Sequence, residues 1–164
     1  MGTPKSLLIV YHSLTGGTRQ MAEAARAGAA ADVQVQLLHA AQAGPADVLA
    51  ADGFLFATPE DLAAVSGQLK DFFDRSYYAV LDQINGRPYA SLICAGSDGH
   101  NAARQIERIA TGWRLKAIAE PLIVCTHAQT REAILAPKQI GAEDLGRCRA
   151  LGEAMAAGLA LGVF

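Results

Sequence analysis

Cysteine is scarce in this chain of 164 residues: there are three, Cys94, Cys125 and Cys148, and no two form a C-x-x-C pair. An odd, dispersed set excludes a disulfide framework and offers no zinc-ligand spacing, so a reducing, cytoplasmic setting is expected. Charge of one sign is also lacking. The 14 Lys and Arg face 16 Asp and Glu, for a formal net charge of -2, which leaves no basic footprint for nucleic acid and little field for steering a charged partner. The first apolar run, Leu7 to Tyr11, is too short to span a bilayer or to form the core of a signal peptide, so no membrane span and no export are expected. Met1, Gly2 and Ser6 meet the bare myristoylation pattern, but Pro4 inside it weighs against that reading. Repeats, linkers and low-complexity tracts are absent, and a chain of this length reads as a single domain over 1–164 that buries roughly 70% of its unfolded surface.

What is present is an alternation of short apolar runs with longer helix-period segments, the pattern of βαβ units feeding a parallel sheet. The runs are Ser6 to Tyr11, Val33 to Leu38, Gly53 to Ala57, Tyr89 to Ala95, and a fifth within Leu115 to Val124 that Pro121 interrupts. Helices are expected at Thr18 to Ala30, Gly67 to Leu81, Asn101 to Ala110 and Glu143 to about Leu161. In the second of these, Leu69, Phe72, Phe73, Tyr77 and Val80 recur at helical spacing and form a core stripe. Tyr78 falls off that stripe, which leaves it available to a second copy of the chain and keeps a homodimer open.

The first strand is followed directly by His12-Ser13-Leu14-Thr15-Gly16-Gly17-Thr18 and then an Ala-rich helix. Glycines let a backbone approach an anion closely, and a helix start presents unpaired N–H groups to it. Ser13, Thr15 and Thr18 add three hydroxyls where capping a helix needs only one. Anion binding, and specifically a phosphate monoester, is therefore the favoured reading over a simple cap. A P-loop needs Lys before its last Ser or Thr, and none is here. A dinucleotide fingerprint needs G-x-G-x-x-G and an acidic residue closing the second strand, where this chain has Leu38-His39.

The loop resembles that of the flavodoxin-like family, which holds the phosphate of FMN on Ser/Thr-x-Thr-Gly-x-Thr; Ser13, Thr15, Gly16 and Thr18 match, with Leu14 and Gly17 in the variable places. The resemblance implies a three-layer α/β sandwich, helices on both faces of a five-stranded parallel sheet in the order 2-1-3-4-5, with ligands beyond the carboxyl ends of the strands. It continues after the third strand, where Thr58-Pro59-Glu60-Asp61 and the following helix look like NAD(P)H-dependent FMN reductases. After the fourth strand, Gly96-Ser97-Asp98-Gly99-His100 resembles the second loop of the flavin ring site. Related proteins commonly place Asn, Gly and an aromatic in the first ring loop, where this chain has Asp61, Ala63 and Ala64. His100 is then the only π-bearing side chain on offer to the ring.

The implied activity is that of an oxidoreductase carrying electrons from NAD(P)H through FMN to a quinone, a flavin or a similar small acceptor, with the cofactor supplying the chemistry and no acid or base side chain required. The alternative is a flavodoxin-type electron carrier that binds FMN and docks a redox partner protein through an acidic surface; the near-neutral charge counts against it. A third class, the phosphocysteine phosphatase, is raised only because Cys125 to Arg131 satisfies C-x5-R. That loop has no glycine to aim successive amides at a phosphate. His12, His39 and His127 read as surface or loop residues without metal-ligand spacing.

Overall fold

A computed structural model describes residues 2–164; Met1, and with it the start of the myristoylation pattern, lies outside the described residues. The elements are β1 (Ser6–Tyr11), α1 (Gly17–Ala29), β2 (Gln34–His39), α2 (Pro45–Ala50), β3 (Gly53–Asp61), β4 (Ala64–Val65), α3 (Gly67–Val80), β5 (Pro88–Ala95), α4 (His100–Gly112), β6 (Lys116–Ala117), β7 (Leu122–Cys125), α5 (Arg131–Leu135) and α6 (Ala142–Leu161). The sheet runs β2-β1-β3-β5, with β6 and β7 both pairing in parallel with β5, and β4 folding back antiparallel on β3. Its main strands keep the expected order 2-1-3-4-5, but the strand count is seven rather than five. The fifth strand is cut in two because the chain leaves the ladder after the Ile118 amide donates to the Tyr89 carbonyl, and Pro121, with no N–H to donate, stands at the break. The other addition is β4, a return strand created because β3 runs four residues past Ala57.

Alternation along β1 builds two cores. Leu7 and Ile9 face α1 and α6 with Met21, Leu55, Leu92 and Met155. Leu8 and Val10 face the opposite layer with Phe54, Phe56, Leu69, Phe72, Phe73 and Trp113. That second core is aromatic: the Phe56 ring meets Phe73 at 4.9 Å and Trp113 at 6.2 Å, both edge to face, contacts worth about 0.5–1.5 kcal/mol each beyond area burial. Position 77 departs from the expected stripe. The buried positions of α3 are Leu69, Phe72, Phe73, Ser76 and Val80, so the 3.6-residue period passes through Ser76, and Tyr77 turns outward to stack on Tyr78 with ring centroids 5.3 Å apart. Two short helices, α2 and α5, were not expected; at six and five residues they are below the length at which a hydrophobic period can be read.

The α1–α6 contact is made by small residues. A Cβ on Gly152 falls 2.0 Å from the Ala25 carbonyl oxygen, and one on Gly28 falls 2.1 Å from that of Arg149. The two backbones therefore touch where any side chain would separate them, and this fixes α1, the helix that follows the β1–α1 loop. Gly→Ala inside a helix ordinarily stabilises, and Gly146 in α6, with open space at its Cβ, provides the control. Gly152→Ala is expected to cost about 1–3 kcal/mol in urea unfolding while Gly146→Ala costs nothing or gains; equal effects would refute the close approach.

Candidate functional site

At the carboxyl ends of β1, β3 and β5 lies a cleft of about 490 Å³. The β1–α1 loop contributes Ser13, Leu14, Thr15, Gly17 and Thr18 to its wall, the β3–β4 hairpin Pro59, Glu60, Asp61, Leu62 and Ala63, and the β5–α4 loop Gly96 and Ser97, with Cys94 and Ala95 from the end of β5. The three loops singled out in the sequence thus share one cavity.

The β1–α1 loop is shaped by its glycines. Gly16 has φ 92°, a left-handed backbone that glycine adopts without penalty, and a Cβ on Gly17 would stand 2.7 Å from the Cys94 sulfur. Ser13 Oγ accepts the Gly16 amide at 3.2 Å, closing the turn. No side chain caps α1. Three other helices differ: Ser66 Oγ caps α3, Thr130 Oγ caps α5, and the Glu60 carboxylate accepts the amides of Gly99 (2.9 Å) and Ala102 (3.2 Å) at the start of α4; α6, like α1, starts after a glycine without a side-chain cap, but away from the cleft. The first amides of α1 are left to whatever occupies the cleft.

Glu60 ties the second loop to the third. Asn101 Nδ2 donates to the Ala63 carbonyl at 2.5 Å and the Val65 amide to Gln105 Oε1 at 2.8 Å, so the hairpin is bonded to α4 along its length. Thr58 is buried beneath it, donating to the Pro59 carbonyl and accepting the Ser66 amide. Thr58, Gly16, Asp98, Gly99 and His100 do not line the cleft. Gly16 and Gly99, both at positive φ, set the turns into α1 and α4. Asp98 and His100 pair with each other on the exterior at 2.5 Å, and that bond holds the Asp98 carboxyl below its usual range.

Several wall residues carried no sequence signal. Leu62 directly follows Thr58-Pro59-Glu60-Asp61, but Thr126, Ala128, Gln129, Ile134, Leu135 and Lys138 come from the segment after β7, which the sequence ties to no flavin loop. No aromatic side chain lines the cleft among the described residues; Leu14, Leu62, Ile134 and Leu135, all exposed, form an aliphatic rim instead. On the floor, burial pushes the Cys94 thiol up to about 11, against smaller opposing effects of the Thr18 hydroxyl and Lys138, so it is a neutral thiol and a poor nucleophile. The C-x5-R loop is no phosphate cradle, because its Thr126 and His127 amides already donate to the Ala95 and Gly96 carbonyls at 2.9 and 2.8 Å.

These features place the protein among α/β proteins of flavodoxin-like architecture with a ligand cleft at the sheet's switch point. The family model of NADPH-dependent FMN reductase matches residues 6–129, and the chain belongs to that family, whose cofactor is FMN. A flavodoxin of Aquifex aeolicus (strain VF5) is 33% identical over 95 residues, 57% of this chain and 51% of that one. An NAD(P)H dehydrogenase (quinone) of Acidithiobacillus ferrooxidans is 33% identical over 92 residues, 43% of this chain and 46% of that one. The matched stretch spans about half the length of each of these relatives. Among solved structures, an archaeal flavodoxin superposes with a TM-score of 0.79 at 18% identity, over 94% of this chain and 98% of that one. No helix among the described residues is long and apolar enough to cross a membrane.

Two local features carry tests. Leu62 (φ 51°) and Ala63 (φ 62°) are both left-handed, between the paired residues Asp61 and Ala64, which makes a two-residue turn of the kind that favours Asn-Gly. Left-handed backbone costs a non-glycine residue roughly 1–2 kcal/mol. The double variant Leu62→Asn, Ala63→Gly is expected to raise stability in urea by about 1 kcal/mol or more; no gain would refute the turn assignment. His12, expected in a loop, is in one, but its ring is buried, edge-on to His39 at 5.6 Å, and its Nδ1 has no hydrogen-bond partner. Burial pushes its pKa below the ordinary 6.5, the His39 ring acts in the same direction and Asp61 opposes them. Below that value the unfolded chain takes up a proton that the fold resists, so stability falls as pH drops from 6.5 toward the folded pKa. Urea midpoints compared at about pH 7.5 and 5.5 should fall more for the wild type than for His12→Phe; parallel falls would show that His12 does not contribute.

Proposed function

We propose that this chain is an FMN-dependent oxidoreductase that passes electrons from NAD(P)H through FMN, held in the cleft, to a quinone, a flavin or another small acceptor. The observation that carries this reading is the uncapped start of α1, opening between Gly16 and Thr18 into a cavity that both ring loops also line. Ser13, Leu14, Thr15, Gly17 and Thr18 hold the phosphate through amides and hydroxyls, and Gly16 shapes the turn that aims them. Pro59, Glu60, Asp61, Gly96 and Ser97 border the ring. Thr58 anchors the hairpin from beneath, while Asp98, Gly99 and His100 fix the start of α4 and act on the ring site only through it. When bound, the cofactor supplies hydride and electron transfer; the protein orients it and excludes water. Three unpaired thiols, two of them buried, suit a reducing cytoplasm.

The rim favours an enzyme over a carrier. Leu14, Leu62, Ile134 and Leu135 surround the mouth, a surface suited to a small apolar acceptor rather than to electrostatic docking of a protein. Titration of the protein with FMN, read by flavin fluorescence, followed by NAD(P)H oxidation with quinone or free flavin, tests the proposal. Saturable binding with turnover is the expected result. Binding without turnover, with a persistent radical on photoreduction, would establish the carrier instead. The double variant Ser13→Ala, Thr15→Ala should weaken FMN by roughly 2–4 kcal/mol if each hydroxyl bond to the charged phosphate is worth about 1.5–3 kcal/mol; unchanged affinity would sink the loop assignment.

A further inference from the structure

Residues 126–141, between β7 and α6, form a strap that folds back onto the phosphate loop. The Lys138 amide donates to the Thr15 carbonyl at 2.8 Å. The Gln20 carboxamide, one turn into α1, donates to the carbonyls of Lys138 (2.8 Å) and Gly16 (3.0 Å) and accepts the Ile140 amide at 3.0 Å. Lys138 is thereby pinned by its backbone to the loop and to the helix that starts there.

Lys138 lines the same cleft as Ser13, Thr15 and Thr18, and it is the one cationic residue to do so among the described residues. The ammonium donates to the carbonyls of Ala133 (2.8 Å), Ile134 (2.9 Å) and Ala136 (2.6 Å), at the carboxyl end of α5, and no carboxylate lies within ion-pair distance of it. These carbonyls take all three ammonium donors but carry no formal charge, so the cation acts on the cleft through space rather than by a direct hydrogen bond. Arg19, which follows the loop in sequence, is different: it pairs with Glu23 at 3.0 Å, is exposed, and does not line the cleft. The opposite wall carries the carboxylates of Glu60 and Asp61. A doubly charged phosphate on the loop therefore faces acidic groups across the cavity, and the α1 terminus, equivalent to about half a charge, offsets them only in part.

We propose that Lys138 is a further residue of the phosphate subsite, the cation that the loop itself lacks, delivered to it by the strap and held there by Gln20. This assignment rests on the FMN reading of the cleft. It makes the strap a source of ligand selectivity: a flavin bearing a phosphate benefits from the charge, and riboflavin, with the same ring and no phosphate, does not.

Fluorescence titrations of the wild type, Lys138→Gln and Lys138→Arg with FMN and with riboflavin decide the matter. Gln retains a donor for the α5 carbonyls and removes the charge. It should weaken FMN about tenfold, as for loss of one positive charge acting through space on the phosphate, while leaving riboflavin unchanged; Arg should recover most of the FMN affinity. Equal weakening of both flavins would show that Lys138 only supports the strap, and unchanged FMN affinity would show no role; either overturns the assignment while the cofactor reading stands. Wild-type protein that binds neither flavin overturns the cofactor reading and this assignment with it. Should Lys138→Gln fail to fold, Lys138→Met carries the same comparison with the same outcomes.

Discussion

The start of α1 is the constraint around which the top of this molecule is arranged. A helix leaves its first amides without internal partners, and burying them unpaired costs free energy. Other helices here answer this with a side chain, Ser66, Thr130 or the carboxylate of Glu60. α1 has Gly16 at that place and keeps its amides open toward a cavity. Holding them there takes structure on every side. β1 delivers the loop from the middle of the sheet, the Gly28 and Gly152 contacts press α1 against α6, and Gln20 with Lys138 fastens the loop from behind.

The two layers of the sandwich serve this arrangement differently. The face carrying Phe54, Phe56, Phe72, Phe73 and Trp113 is built of large interlocking rings, and burying each Phe contributes about 1.5–3 kcal/mol. On the other face the contact between α1 and α6 is made by small residues, Gly28, Ala25 and Gly152, that permit backbone approach. A helix seated that closely has little freedom to tilt or slide, which is what a site made of backbone amides needs, since an amide moves only with its helix.

Much of this was legible in the sequence, where the relevant information is local. The β1–α1 loop is one contiguous run of hydroxyls and glycines, and the strand order came with the family resemblance that this run carries. Legibility ended where a residue's role depends on a distant partner. Glu60 sits in a loop that reads as ligand-facing, yet both its oxygens hold amides of α4 across 39 and 42 residues. Tyr77 matched a helical stripe, but Ser76 fell nearer the centre of the buried face. The break in the fifth strand was marked by Pro121, whereas the strap beyond it had neither a hydrophobic period nor a turn signal strong enough to place it.

The strap shows why that last gap matters. Its α5 buries no residue, so it contributes little to the core and is held mainly by hydrogen bonds at Gln20, Thr15 and Lys138 and by the Ile140 side chain, which is buried. An element with so few apolar anchors has a low free energy of local opening compared with the sheet. It nonetheless supplies Ile134, Leu135 and Lys138 to the cleft wall. The cleft therefore has one rigid side, made of strands β1, β3 and β5 and the α4-bonded hairpin, and one side whose single core anchor is Ile140.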